Sequence, residues 1–199
     1  TLCHAIECWT SNKSNPFSDL FAMEALDLIL NHIEPACDDS EAMDAKNKMQ
    51  IASFLAGVAI AASGTTAVHA LSYPLGGKYH IPHGVSNAML LVPVMKFNEP
   101  ACREKFAAAY DRAARVSKAG GTALTAEEKS AWIIQRLESI VKHLDIPTSL
   151  KDYGIGSEDL IFDPLAMTIS SDNLAAQVTL DTVSLLKKEL GVHCSLGVS

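Results

Sequence analysis

At 199 residues, 48% hydrophobic and 20% charged, the chain is long enough for one well-buried core, or at most two small ones, and has the composition of a globular protein that folds without staples. Its formal net charge of −7 argues against nucleic acid as a partner, because phosphate-backbone binding rests on a basic face that this composition does not supply. The five cysteines, Cys3, Cys8, Cys37, Cys102 and Cys194, are odd in number and show no C-x-x-C spacing, which predicts reduced thiols and a cytoplasmic setting rather than a disulfide framework.

The elements read in chain order are helical throughout, with no run of alternating β-branched residues, so the expected fold class is all-α, a helical bundle. Asn15 before Pro16 predicts an N-cap with proline at the first helical position. It opens an amphipathic helix through Leu20, Met23, Leu26, Leu28 and Ile33 that Pro35 should stop. Asp38 or Asp39 is expected to cap a long helix toward Gly64. This helix is polar at first and nearly all apolar from Ile51 on, so its second half should be buried on every side. That apolar run, Ile51 to Ala62, is about twelve residues, short of the roughly 20 a bilayer span requires, and no basic stretch leads into an apolar N-terminal segment. No membrane partner is expected. Pro82 and Gly84 bracket the start of a helix from Val85 to Lys96, and Pro100 should begin another that reaches about Ser117. Thr125 to Glu128 fits a capping box, followed by an apolar stripe of Trp132, Ile133, Leu137, Ile140 and Leu144. A last helix is expected over roughly Ser171 to Leu190. Lys118 to Gly121 and Ile146 to Ser157 read as loops, neither long enough for an interdomain linker.

Three of the seven histidines, His69, His80 and His83, crowd into fifteen residues with Pro74, Gly76, Gly77 and Pro82. His69 falls near the end of an apolar helix and His83 at the start of the next, and the Pro- and Gly-rich turn between them lets the two imidazoles converge. Imidazole is the commonest neutral nitrogen ligand, and a divalent metal needs three or four such donors at about 2.0–2.2 Å. A plain core or surface histidine is the competing reading of each. His80, beside Lys78, reads as a solvated loop residue, and His32, His143 and His193 stand alone near helix ends. His4 is a third candidate, with Glu7 one helical turn on and on the same face. A His-x-x-Glu step also fits a carboxylate-bridged di-metal bundle, but Ile51 to Ala62 carries none of the inward carboxylates that such a bundle needs.

The segments "HAIECWTSNKSNPFSD", "AGVAIAASGTTAVHALSYPLGGKYHIPHGVSNAMLL" and "PVMKFN" resemble the helical C-terminal domain of the iron-containing (group III) alcohol dehydrogenases, which has a dehydroquinate synthase-like fold. The likeness is close over about residues 1 to 100 and loose beyond. It implies a divalent metal, Fe2+ or Zn2+, held by an aspartate and three histidines that match His4, His69 and His83. It further implies NAD or NADP on a separate α/β domain, a small alcohol or aldehyde substrate, and a homodimer as one assembly such a protein forms. Tyr73 stands where the family commonly has a further histidine lining the cleft, which makes it the candidate catalytic residue; a cleft-wall aromatic with no chemistry is the alternative. Gly76 and Gly77 would let the backbone turn, and Asn87 would orient a ligand or substrate or simply pack its helix. The family's aspartate would precede Thr1, and no Gly-rich nucleotide-binding turn is present. Residues 1–199 are therefore expected to form the metal-binding C-terminal domain, with the N-terminal nucleotide-binding domain absent and the chain alone inactive. Glycerol dehydrogenase, maleylacetate reductase and hydroxyacid-oxoacid transhydrogenase activities stay open as alternatives, as does a stand-alone, non-catalytic helical metal-binding module.

Overall fold

The computed structural model describes residues 1–113, 124–164 and 174–196. Helix α1 (Leu2–Thr10) is short and apolar on its inner face, where Leu2, Ala5, Ile6 and Cys8 are buried. Asn15 then does what its position before Pro16 predicts. Its Oδ1 accepts from the Phe17 and Ser18 N–H groups, each at 3.1 Å, while Ser18 Oγ accepts from the Asn15 N–H at 2.9 Å. Helix α2 (Pro16–Asp38) starts there, but Pro35 does not stop it. The proline removes a donor only in the last turn, where little helix remains to be lost, and the chain runs three residues further to Asp38. The buried stripe of α2 is Ala22, Ala25, Leu26, Ile29 and Leu30, whereas Leu20 is exposed.

Helix α3 (Met43–Ser63) begins later than expected, at an Ala42 N-cap without a side-chain bond. Asp39 instead closes the preceding turn through Oδ1, which accepts from the Glu41 N–H at 2.8 Å. Its apolar second half is not buried on every side. Ala52, Ala56, Ala59 and Ser63 form one buried small-residue face, while Ile51 is 53% and Phe54 70% exposed on the other. Spacing of the alanines, not mean hydropathy, decides which face packs: small side chains let α3 approach α1 and α2 closely.

Gly64, at φ +70° and ψ 176°, ends α3, and the axis turns by 106° into α4 (Ala67–Tyr79). Pro74, Gly76 and Gly77 lie inside α4 and make no turn, so the sharp connection to the next helix is only His80 to Pro82. His80 caps α4 in the left-handed region, φ +56°. His69 accordingly sits in the first turn of a helix rather than near the end of one.

Helix α5 (His83–Ala113) is continuous through both Pro93 and Pro100, where two helices were expected. An internal proline costs about 3 kcal/mol, and contacts on both sides offset it. Arg103 reaches back across Pro100 to Glu99 through Nε–Oε1 (2.8 Å) and Nη2–Oε2 (3.0 Å), and Ser130 Oγ donates to the same Oε1 at 2.8 Å. Phe106, Leu91 and Met95 are buried on either side of that proline. The expected end at Ser117 and the loop from Lys118 to Gly121 lie outside the described residues.

Helix α6 (Ala126–His143) opens on the predicted capping box. The Glu128 N–H donates to Thr125 Oγ1 at 3.2 Å, and Glu128 Oε2 accepts from the Thr125 N–H at 2.8 Å. Ile133, Leu137 and Ile140 are buried, with Trp132 and Leu144 at the stripe's margin. Arg136 ties α6 to α2 through Glu34, at 2.7 and 3.0 Å, and the Leu30 carbonyl, at 2.8 Å. Thr125→Ala is expected to lower stability by about 1 kcal/mol, read as a shift of the urea midpoint at unchanged slope.

The chain divides into two compact units, Thr1–Thr148 and Ser149–Ser199, with the boundary inside the segment read as a loop from Ile146 to Ser157. The second unit has two short 3-10 turns, Leu150–Tyr153 and Ser157–Asp159, and a parallel pair of two-residue strands, β1 (Ile161–Phe162) and β2 (His193–Cys194). Its helix α7 (Ala175–Leu185) continues as a π turn to Leu190, and the start expected at Ser171 lies outside the described residues. The described residues are predominantly helical, as expected. Among the described residues no single helix is long and apolar enough to cross a membrane.

Candidate metal centre

The site is assembled by three helix starts. Helix α1 presents His4 and, one turn on, Glu7, whose side chain is fully buried. Four N–H groups at any helix start lack an intrahelical partner, and in α4 the N-cap Thr66 makes no side-chain cap of its own. Glu7 supplies the missing acceptor from the neighbouring helix. Its Oε1 accepts from Thr66 N–H (2.8 Å), Thr66 Oγ1 (2.7 Å), Val68 N–H (2.9 Å) and His69 N–H (3.4 Å). A carboxylate there also opposes the positive end of the α4 dipole. The second oxygen, Oε2, bonds His69 Nδ1.

His69 is 2% exposed, so its ring is held on all sides. His83 opens α5 and is exposed, but Asn87, one turn on and 3% exposed, fixes it from behind. Asn87 Nδ2 donates to the His83 carbonyl at 2.8 Å and lies 3.2 Å from both ring nitrogens. Its Oδ1 accepts from Ser72 Oγ of α4 at 3.1 Å, which joins the two helices behind the histidines.

The three predicted imidazoles converge. Ring centroids stand 4.5 Å apart for His4 and His69, 5.4 Å for His69 and His83, and 6.3 Å for His4 and His83. One donor atom from each lies within 4.8 Å of the other two. Burial, together with the two neighbouring histidines, lowers the His4 pKa from 6.5 to about 4. His4 is therefore a neutral donor near pH 7. Three imidazoles with a nitrogen each inside 4.8 Å of one another, and with buried partners fixing two of the rings, fit a divalent ion of the zinc or iron type.

Tyr73 sits beside this cluster on α4, 62% exposed, with its ring 6.4 Å from that of His69 and 6.5 Å from that of His83. The other histidines lie elsewhere. His80 is the exposed cap of α4, His32 Nδ1 bonds the Leu28 carbonyl at 2.8 Å, His143 pairs with Asp38 at 2.8 Å, and His193 is in the second unit. Sequence reasoning missed Glu7 as a partner of His69 and Ser72 as a partner of Asn87. The His-x-x-Glu step was the visible signal for Glu7.

The chain matches the family model "Fe-containing alcohol dehydrogenase family, C-terminal" over residues 1–190, well past the first hundred. It is 38% identical over 160 residues to the 1,3-propanediol dehydrogenase of Klebsiella pneumoniae, covering 79% of this chain and 40% of that protein. It is 34% identical over 155 residues to long-chain-alcohol dehydrogenase 1 of Geobacillus thermodenitrificans, covering 77% of this chain and 38% of that protein. Among solved structures, a 1,3-propanediol oxidoreductase superposes with a TM-score of 0.71 at 30% identity, over 90% of this chain and 43% of the other. The chain thus spans about two fifths of the length of the curated relatives it matches. The extent of the family match and the identity to these dehydrogenases establish that the chain belongs to the iron-containing alcohol dehydrogenase family and corresponds to its C-terminal domain.

Proposed function

We propose that this chain provides the metal-holding part of an NAD(P)-dependent alcohol dehydrogenase that interconverts small alcohols and their carbonyl compounds. The convergence of His4, His69 and His83 within 4.8 Å carries this reading. A divalent ion bound there would serve as a Lewis acid toward the substrate oxygen. The chain's own part is to hold the imidazole nitrogens in place before the ion arrives. Glu7 does this for His69 and Asn87 for His83, so little side-chain freedom is lost on binding. Tyr73, exposed at the rim, is placed to line the opening and to offer a hydroxyl to a substrate or nicotinamide approaching from solvent. The dehydrogenases to which the chain is similar act, by name, on a diol and on long-chain alcohols, which favours alcohols over the other substrates open to this fold. The nucleotide is assigned to the portion of such proteins that this chain does not span.

The test is direct. The purified full chain should bind one equivalent of zinc or cobalt(II) and should produce no reduced cofactor from short-chain alcohols and NAD(P). Absence of metal uptake would overturn the reading. Turnover by the chain alone would place the nucleotide site within it.

A further inference from the structure

We propose that Glu7 is a positioning residue: its carboxylate holds His69 as the Nδ1–H tautomer, so that Nε2 keeps a free lone pair toward His4 and His83. This rests on the reading of the three histidines as a metal site. The Glu7 side chain is fully buried, and its two oxygens have separate tasks. Three backbone N–H groups, of Thr66, Val68 and His69, point at Oε1, which closes the first turn of α4. A helix cap needs no more than that. Oε2 nevertheless meets the His69 ring nitrogen, a contact the cap does not explain. An ionised carboxylate only accepts, so the ring nitrogen that meets Oε2 is the one that carries the proton, Nδ1. The remaining nitrogen, Nε2, is the one a metal would use. Glu7 therefore couples two things that must agree: where α4 begins, and which nitrogen of its third residue is free.

Glu7→Gln separates these tasks. The amide keeps the shape and an acceptor oxygen for the α4 N–H groups. Its NH2, in the place of Oε2, only donates, so Nδ1 must become the acceptor and the proton moves to Nε2. The metal nitrogen is then blocked. In the metal-free full chain, 15N NMR of the His69 ring should show protonated Nδ1 and bare Nε2 for the wild type, and the reverse for Glu7→Gln. Zinc affinity should fall about 10- to 100-fold in the variant. Thr66→Ala, which removes only a cap contact, should leave the ring spectrum as in the wild type. An unchanged tautomer in Glu7→Gln, or unchanged zinc affinity, overturns the proposal. If Glu7→Gln does not fold, the wild-type spectrum still decides, since a proton on Nε2 there is incompatible with it. Because that spectrum is read without metal, it tests Glu7 even if the wild type takes up no zinc, a result that would overturn the metal reading instead.

Discussion

Replacing His69 by alanine is expected to weaken zinc or iron(II) binding by roughly two orders of magnitude and, separately, to destabilise the metal-free protein. The first effect follows from the number of donors. Structural zinc sites with four ligands are worth about 10–16 kcal/mol, so one ligand accounts for about 3 kcal/mol, or roughly 100-fold. The second follows from burial. His69 is the partner of Glu7 Oε2, and alanine would leave that buried oxygen without a donor, at about 1–3 kcal/mol. His83→Ala makes the contrast, because His83 is exposed. It should lose metal affinity to a similar degree with little change in metal-free stability. Calorimetric titration and urea unfolding without metal measure the two effects. Equal zinc affinity in both variants and the wild type would mean that these histidines hold no ion. Equal metal-free stability of the two variants would mean that the Glu7 contact contributes nothing to folding.

The different burial of these two residues shows how far the sequence could be read. Proline and glycine punctuation around His69 and His83 marked a place where helix ends meet, and the resemblance added His4. Glu7 was visible only as a residue one turn from His4. Its role depends on how α4 runs: the sequence places the end of the long helix near Gly64, as found, but Pro74, Gly76 and Gly77 read as a turn although they lie inside α4. Local breakers mislead where tertiary contacts hold a helix through them, as Pro93 and Pro100 in α5 also show. The caps at Asn15 and Thr125 were legible for the opposite reason: their bonds are made within four residues and need no partner element. For α3, hydropathy overstated burial, since Ile51 and Phe54 are as apolar as any core residue yet lie opposite the alanine face.

Gly64→Val is expected to damage stability and the site together. At φ +70° and ψ 176° the residue occupies a region essentially reserved for glycine, where a side chain costs about 1–3 kcal/mol. A Cβ there would meet nothing within 4 Å, so the penalty is backbone strain rather than a clash, and neighbouring side chains cannot relieve it. The chain's remaining way out is to change the corner itself. That corner turns α3 into α4 by 106° and sets Thr66, Val68 and His69 over the Glu7 carboxylate. Reorienting it would draw the His69 ring away from His4, now 4.5 Å distant between centroids. The variant should therefore lose zinc affinity even under conditions where it is folded. Gly57→Ala is the control, since Gly57 lies within α3 with open space around it, and alanine in an exposed helical position gains about 0.5–1 kcal/mol over glycine. Urea unfolding and zinc titration of both variants should give opposite stability shifts, with affinity reduced only in Gly64→Val. Wild-type stability in Gly64→Val would show that the corner does not require this conformation. Wild-type affinity in a destabilised Gly64→Val would show that the placement of His69 does not depend on it.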